Sequence, residues 1–159
     1  MKKISLTVIA FTLLILSSFS QIKENGKIYI THPNINAVLA SNQAYLHNDA
    51  SANMKYFSDT AKVWMSGMEK PMDIKEAMPM FMSDHDRYDS INLTQQGYPD
   101  YLEYTKDNAR VVQSWWTWSG KSKKSGETTK IPVVQFDNFD KDGKITFESI
   151  YGDFSKMEK

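Results

Sequence analysis

From Arg110 to Gly120 the chain alternates in character, "RVVQSWWTWSG". Successive side chains of a strand take opposite faces. Trp116 and Trp118 therefore share a face with Val112 and Ser114, and Trp115 lies on the other with Val111, Gln113 and Thr117. The same period of two runs through "YDSINLT", "DYLEYT", "TKIPVVQFDNF" and "KITFESIYGDF", which predict further strands. The connections "QGYP", "KDN", "GKSKKSGE" and "DKDG" are turn-like. Links this short leave no room for crossovers, so the sheet is expected to be antiparallel.

Upstream the spacing is helical. His32-Pro33-Asn34 opens a helix that Asn34 or Asn36 can cap, with Ile35, Val38, Leu39, Asn42 and Leu46 near one stripe. It ends around His47-Asn48-Asp49, and Asp49 or Ser51 caps a second, short helix. "AKVWMSG" then alternates as a strand, with Val63 and Met65 opposite Trp64. Asp73 is expected to cap a third helix, whose Pro79 kinks or restarts it. The segment 21–33 is a leader or an edge strand. Helices first and strands afterwards form an α+β pattern.

The N-terminus changes the picture. "MKKISLTVIAFTLLILSSFSQ" has a basic start, an apolar run of about 13 residues and small residues before Gln21. This is the form of a secretory signal peptide over 1–20, cleaved before Gln21, and the run is short of the roughly 20 residues that span a bilayer. The mature chain is then expected in the periplasm or outside the cell, free of the membrane. The chain has no cysteine, which excludes disulfides, thiolate zinc sites and a cysteine nucleophile. Packing must hold the domain together, and the 13% aromatic content suits that. Nineteen basic residues balance nineteen acidic ones, which argues against nucleic acid as a partner.

The order of elements, with "YLHNDASANMKYFSDTAKVWMSG" and "VVQSWWTWSG…VVQFDNFDKDGKITFESIYGD", resembles the nuclear transport factor 2-like superfamily, and within it the SnoaL-like group. The resemblance covers about residues 34–154. It implies a curved, mostly antiparallel sheet around about three helices, a domain over 34–159, and a conical apolar pocket between sheet and helices. It also implies pairing of two copies through the outer sheet face, where Trp115, Val111 and Gln113 are expected. Isomerases, cyclases, dehydratases and non-catalytic binders share this fold, so fold does not settle function.

Aligned on the steroid isomerases of that superfamily, the base position falls at Met65, the tyrosine position near Ala40 and the acid position at Gln135. All three roles are altered. On the same alignment Glu148 faces the pocket with Ile150, where burial would raise its pKa and suit it to acid–base work. The alternative faces Phe147 and Tyr151 inward and leaves Glu148 in water. His47 is a second candidate base, or a helix-terminus residue. Trp116, Trp118, Trp64 and Tyr45 are expected to wall the pocket, with Gln135 as a polar anchor. Asp84-His85-Asp86 is taken as a solvated helix end, and "NFDKDGKITFES" as an Asp-Gly hairpin in place of a calcium loop. Neither a metal nor a cofactor is expected. Three readings follow. The chain is a binder of a small apolar or aromatic molecule. It is an isomerase-, cyclase- or dehydratase-type enzyme using Glu148 or His47. Or it is a non-catalytic interaction domain whose cavity is filled by its own side chains, with less than about 300 Å³ free.

Overall fold

The computed structural model describes residues 24–158. The signal segment, 1–20, and its cleavage point before Gln21 lie outside them. In chain order come strand β1 (Gly26–Tyr29), helices α1 (Pro33–Leu46) and α2 (Ala50–Met54), and strands β2 (Phe57–Met65) and β3 (Met72–Asp73). Helices α3 (Ile74–Met82) and α4 (Asp84–Arg87) follow, then strands β4 (Tyr88–Gln95), β5 (Asp100–Tyr104), β6 (Arg110–Ser122), β7 (Thr128–Phe139) and β8 (Ile145–Tyr151). A 3-10 turn, Phe154–Lys156, comes last.

The strands form one curved sheet in the order β1-β5-β6-β7-β8-β2-β3, with β4 also paired to β6. The 13 residues of β6 are enough to hold two strands on one edge. Val111 near its start faces Leu102 of β5, and Trp118 near its end faces Leu93 of β4. One pairing departs from the antiparallel expectation. β2 runs parallel to β8, with Val63 opposite Glu148. The short-link argument constrains only consecutive strands, and most of the domain separates these two. The edge-strand alternative for the segment 21–33 is the one observed. Gly26–Tyr29 pairs antiparallel with β5, Tyr29 facing Tyr101.

The helix ends differ in detail from expectation. His32, not Asn34 or Asn36, caps α1, its Nδ1 accepting from Asn34 N at 3.1 Å, with Pro33 in the first turn. There the missing N–H of proline costs nothing. The His32 ring also stacks on Tyr101, centroids 3.6 Å apart. Asp49 caps α2 through Ala52 N at 2.9 Å. Asp73 occupies the α3 cap position but makes no cap bond; its carboxylate takes Lys62 Nζ at 2.6 Å. Pro79 lies inside α3, which stops at Met82.

Two apolar clusters hold the molecule together. Ile35 and Val38 of α1 and Ile74 and Ala77 of α3 pack on Ala61 and Val63 of β2. Tyr88, Trp116, Trp118, Ile131 and Val133 form the second on β4, β6 and β7. Burial alternates strictly along β6 and β7, so their inner faces are core and their outer faces are half-exposed.

Candidate functional site

A cavity borders both clusters, between the helices and the inner face of β6, β7 and β8. Its volume is about 100 Å³. The walls are mainly apolar, with Phe57, Met78, Phe81, Trp116, Trp118 and Ile150 among them. The volume is below the expected 300 Å³. The segment after β8 contributes Phe154 and Met157 to the lining.

Polar side chains meet this space in three places. The first is on β7 and β8. Gln135 and Asp137 are two apart on one strand and so share its inner face, and Asp137 faces Glu148 across the β7–β8 ladder. Gln135 Nε2 donates to Glu148 Oε1 at 2.8 Å and to Asp137 Oδ2 at 3.0 Å. All three residues are buried, Asp137 completely. Burial raises both carboxyls, Asp137 to about 7 and Glu148 well above its ordinary value. Glu148 is raised further by the charge of Asp137 and by their mutual hydrogen bond. Two carboxyls so close cannot both ionise cheaply, so at neutral pH the pair keeps a proton, held first by Glu148. Glu148 and Gln135 border the cavity, and Asp137 lies behind them. The arrangement can donate a hydrogen bond to a bound acceptor atom, or exchange a proton with it.

The second place joins α1, α4 and β6. Trp118 Nε1 donates to Tyr45 Oη at 2.8 Å, and Tyr45 Oη donates to Asp84 Oδ2 at 2.8 Å. Arg87 Nη2 holds the other oxygen of Asp84 at 2.7 Å. His85 Nε2 donates to the Tyr45 carbonyl at 2.8 Å. Burial, then the neighbouring Asp84 charge, push the Tyr45 phenol up, so it stays a donor. Asp84 is itself raised by burial, with Tyr45 and Arg87 opposing. The third place is α1 and α2, where Ser41 Oγ donates to Asn53 Oδ1 at 2.7 Å. Beside them Asn42 Nδ2 is buried and, among the described residues, finds no partner.

Of the residues singled out in the sequence, Tyr45, Trp116, Trp118, Gln135 and Glu148 border the cavity. Trp64 does not. Strand alternation sets it opposite Val63 and Met65, on the outer face, where Nε1 donates to Met68 O at 3.0 Å and the ring lies 5.1 Å from Tyr151. His47 does not either. It is exposed at the C-terminal end of α1. Among the positions aligned on the steroid isomerases, Met65 and Gln135 border the cavity and Ala40 does not. Asp84 is not a solvated helix end, since Tyr45 and Arg87 draw it into the cavity wall. Asp137 was not singled out at all. Its signal was the spacing of two from Gln135, hidden in a stretch that also reads as an acidic turn. Among the described residues no three acidic or histidine side chains converge as metal ligands.

No family model and no curated protein matches the chain. Solved structures match its fold. A nuclear transport factor 2-like protein of unknown function from Burkholderia pseudomallei aligns with 80% of this chain and 95% of its own, TM-score 0.62, at 12% identity. IdmH from Streptomyces antibioticus, described as a candidate polyketide cyclase, gives a TM-score of 0.65 over 79% of this chain and 96% of its own, at 13% identity. The chain has the nuclear transport factor 2-like fold. A protein from Shewanella denitrificans, described as a candidate SnoaL-like polyketide cyclase, is also similar, with a TM-score of 0.59 over 80% of this chain and 95% of its own, at 13% identity. Identities this low establish a shared nuclear transport factor 2-like backbone. The chemistry of the cavity is argued from this chain's own residues.

Proposed function

We propose that this nuclear transport factor 2-like chain is an exported domain that binds a small apolar or aromatic molecule, with Glu148 and Gln135 holding the ligand's polar end. The observation that carries this reading is a buried carboxyl, Glu148, that borders an aromatic-walled space beside Gln135 and is backed by Asp137. Burying two carboxyls is costly, and a ligand that accepts a hydrogen bond from the protonated Glu148 would offset part of that cost. The unpartnered Asn42 amide is a second group that a ligand would satisfy. A dry cavity of about 150 Å³ admits benzene. A space of about 100 Å³ is smaller still, so the ligand proposed is at most a single ring or a short chain. Export rests on the basic and apolar N-terminal segment. We propose further that two copies pair through the outer sheet face, where Trp64, Phe136 and Tyr151 gather.

A second reading has its own support. A carboxyl pair that keeps a proton near neutrality is suited to moving one, which favours an isomerase-, cyclase- or dehydratase-type enzyme. The filled-cavity reading is favoured by the small volume alone. Native mass spectrometry of protein recovered from its own source, without refolding, separates these. A retained molecule of one-ring size is expected. Glu148→Gln is expected to weaken its retention by about tenfold, the loss of one hydrogen bond to a buried acid. A clean unliganded mass in every preparation would leave the filled-cavity domain. Turnover in a substrate screen that vanishes in Glu148→Gln would favour the enzyme.

A further inference from the structure

The chain does not stop at the rim of its sheet. After β8, residues 152–158 cross the cavity as a strap fixed at both ends. At the near end Gly152 N donates to Ser66 Oγ at 3.2 Å. At the far end three groups hold Glu158. Arg87 Nη1 donates to its carbonyl at 2.9 Å, its own N donates to Tyr88 Oη at 2.6 Å, and Ser122 Oγ donates to its carboxylate. Tyr88 and Ser122 face each other across the β4–β6 ladder, so the pin sits on one rigid strand pair. Between the pins Asp153, Ser155 and Lys156 are exposed and bond one another. Only Phe154 and Met157 turn inward, onto the cluster built by Trp116, Trp118 and Val133.

We propose that this strap sets the size of ligand the cavity admits, with Phe154 and Met157 as the specificity-determining side chains. The inference rests on the binding reading above and extends it. Phe154 and Met157 are among the side chains that bound the space of about 100 Å³, so truncating them would widen it. A fused bicyclic ring exceeds this space and requires the strap to move. Neither side chain hydrogen-bonds to a ligand, so they select by shape. The strap is also connected to the wall it covers. Arg87 holds Glu158 with one nitrogen and the cavity-lining Asp84 with another. A ligand that displaces Tyr45 from Asp84 thus disturbs the guanidinium that pins the strap.

The test is a calorimetric titration of the full mature chain with phenol and with 1-naphthol. The wild type is expected to bind phenol at least tenfold more tightly than 1-naphthol. Phe154→Ala with Met157→Ala is expected to tighten 1-naphthol by tenfold or more and to abolish the preference. A second variant, Tyr88→Phe with Ser122→Ala, removes two pins and no cavity-lining atom, so it serves even if the first does not fold. It is expected to tighten 1-naphthol by a smaller factor, about threefold, with phenol unchanged. A wild type that binds both probes equally, or phenol binding with a preference neither variant moves, overturns the strap inference alone. Failure of wild type and variants to bind either probe overturns the binding reading and the inference with it.

Discussion

A carboxyl group moved from water into an apolar wall gives up its charge before it gives up its place. Asp137 and Glu148 show this in the nuclear transport factor 2-like cavity, because burial is the largest cause of both upward shifts. The native state therefore holds protons that the unfolded chain releases near pH 4, the ordinary carboxylate value. This contribution is full below about pH 4 and falls as the pH rises through about 7 for Asp137 and higher for Glu148. The half-buried Asp84 acts in the same sense. Asp49 and Asp153, both lowered, act in the opposite sense, but only in acid. Urea unfolding at pH 5, 7 and 9 is expected to show stability declining by up to about 1.4 kcal/mol per pH unit for each proton lost. Glu148→Gln is expected to flatten that slope. Wild-type stability that rises between pH 5 and 8 would contradict the protonated pair. How far these residues were legible depended on their partners. Alternation along β6 separated Trp116 and Trp118 from Trp115 without any tertiary knowledge. Asp84 gave no such signal, since it is defined by Tyr45, 39 residues earlier in the chain.

At the scale of the element, β6 carries much of the site, and its regularity depends on one glycine. Gly120 reads as the start of a loop in the sequence, yet it is buried inside β6. A Cβ there would lie 2.8 Å from the Trp118 ring and 3.1 Å from Tyr88. Those two rings meet edge-to-face at 5.1 Å. The strand gives up a side chain so that this pair can close, the usual meaning of glycine within a strand. Gly120→Ala is expected to cost about 1–3 kcal/mol through overpacking. It should also move the Trp118 indole, whose N–H donates to Tyr45, and so change near-ultraviolet circular dichroism. An unchanged melting temperature and spectrum would show that the strand yields freely. Elements with a clear period were readable. β1 was legible only as an alternative to a leader, because Ile28 is 66% exposed and the strand lies at the sheet edge, paired to β5.

The whole molecule is closed by a pairing that local sequence does not announce. β2 reaches β8 in parallel, and this brings Met65 and Phe57 to the same cavity as Glu148 and Ile150. No hairpin signal marks such a contact, since the two strands are joined by the rest of the domain. The closure has a consequence on the other side of the sheet. Trp64 on β2, Tyr151 on β8 and Phe136 on β7 become neighbours, with ring centroids 5.1 and 5.9 Å apart. Tyr151 is 46% exposed, and Trp115 and Val134 continue its row across β6 and β7. Aromatic side chains on a β face are favourable anchors between subunits, and a two-fold pair would set each cluster against its own copy. The proposed dimer is therefore expected to depend on this cluster. Tyr151→Lys places a charge at its centre without touching the cavity. Loss of an aromatic anchor costs about 2 kcal/mol or more, which weakens the dimer roughly 30-fold. In sedimentation equilibrium the wild type is expected to show twice the chain mass and Tyr151→Lys to dissociate, with phenol binding unchanged. A wild type that sediments as a single chain at every concentration would leave the aromatic outer face without the partner assigned to it.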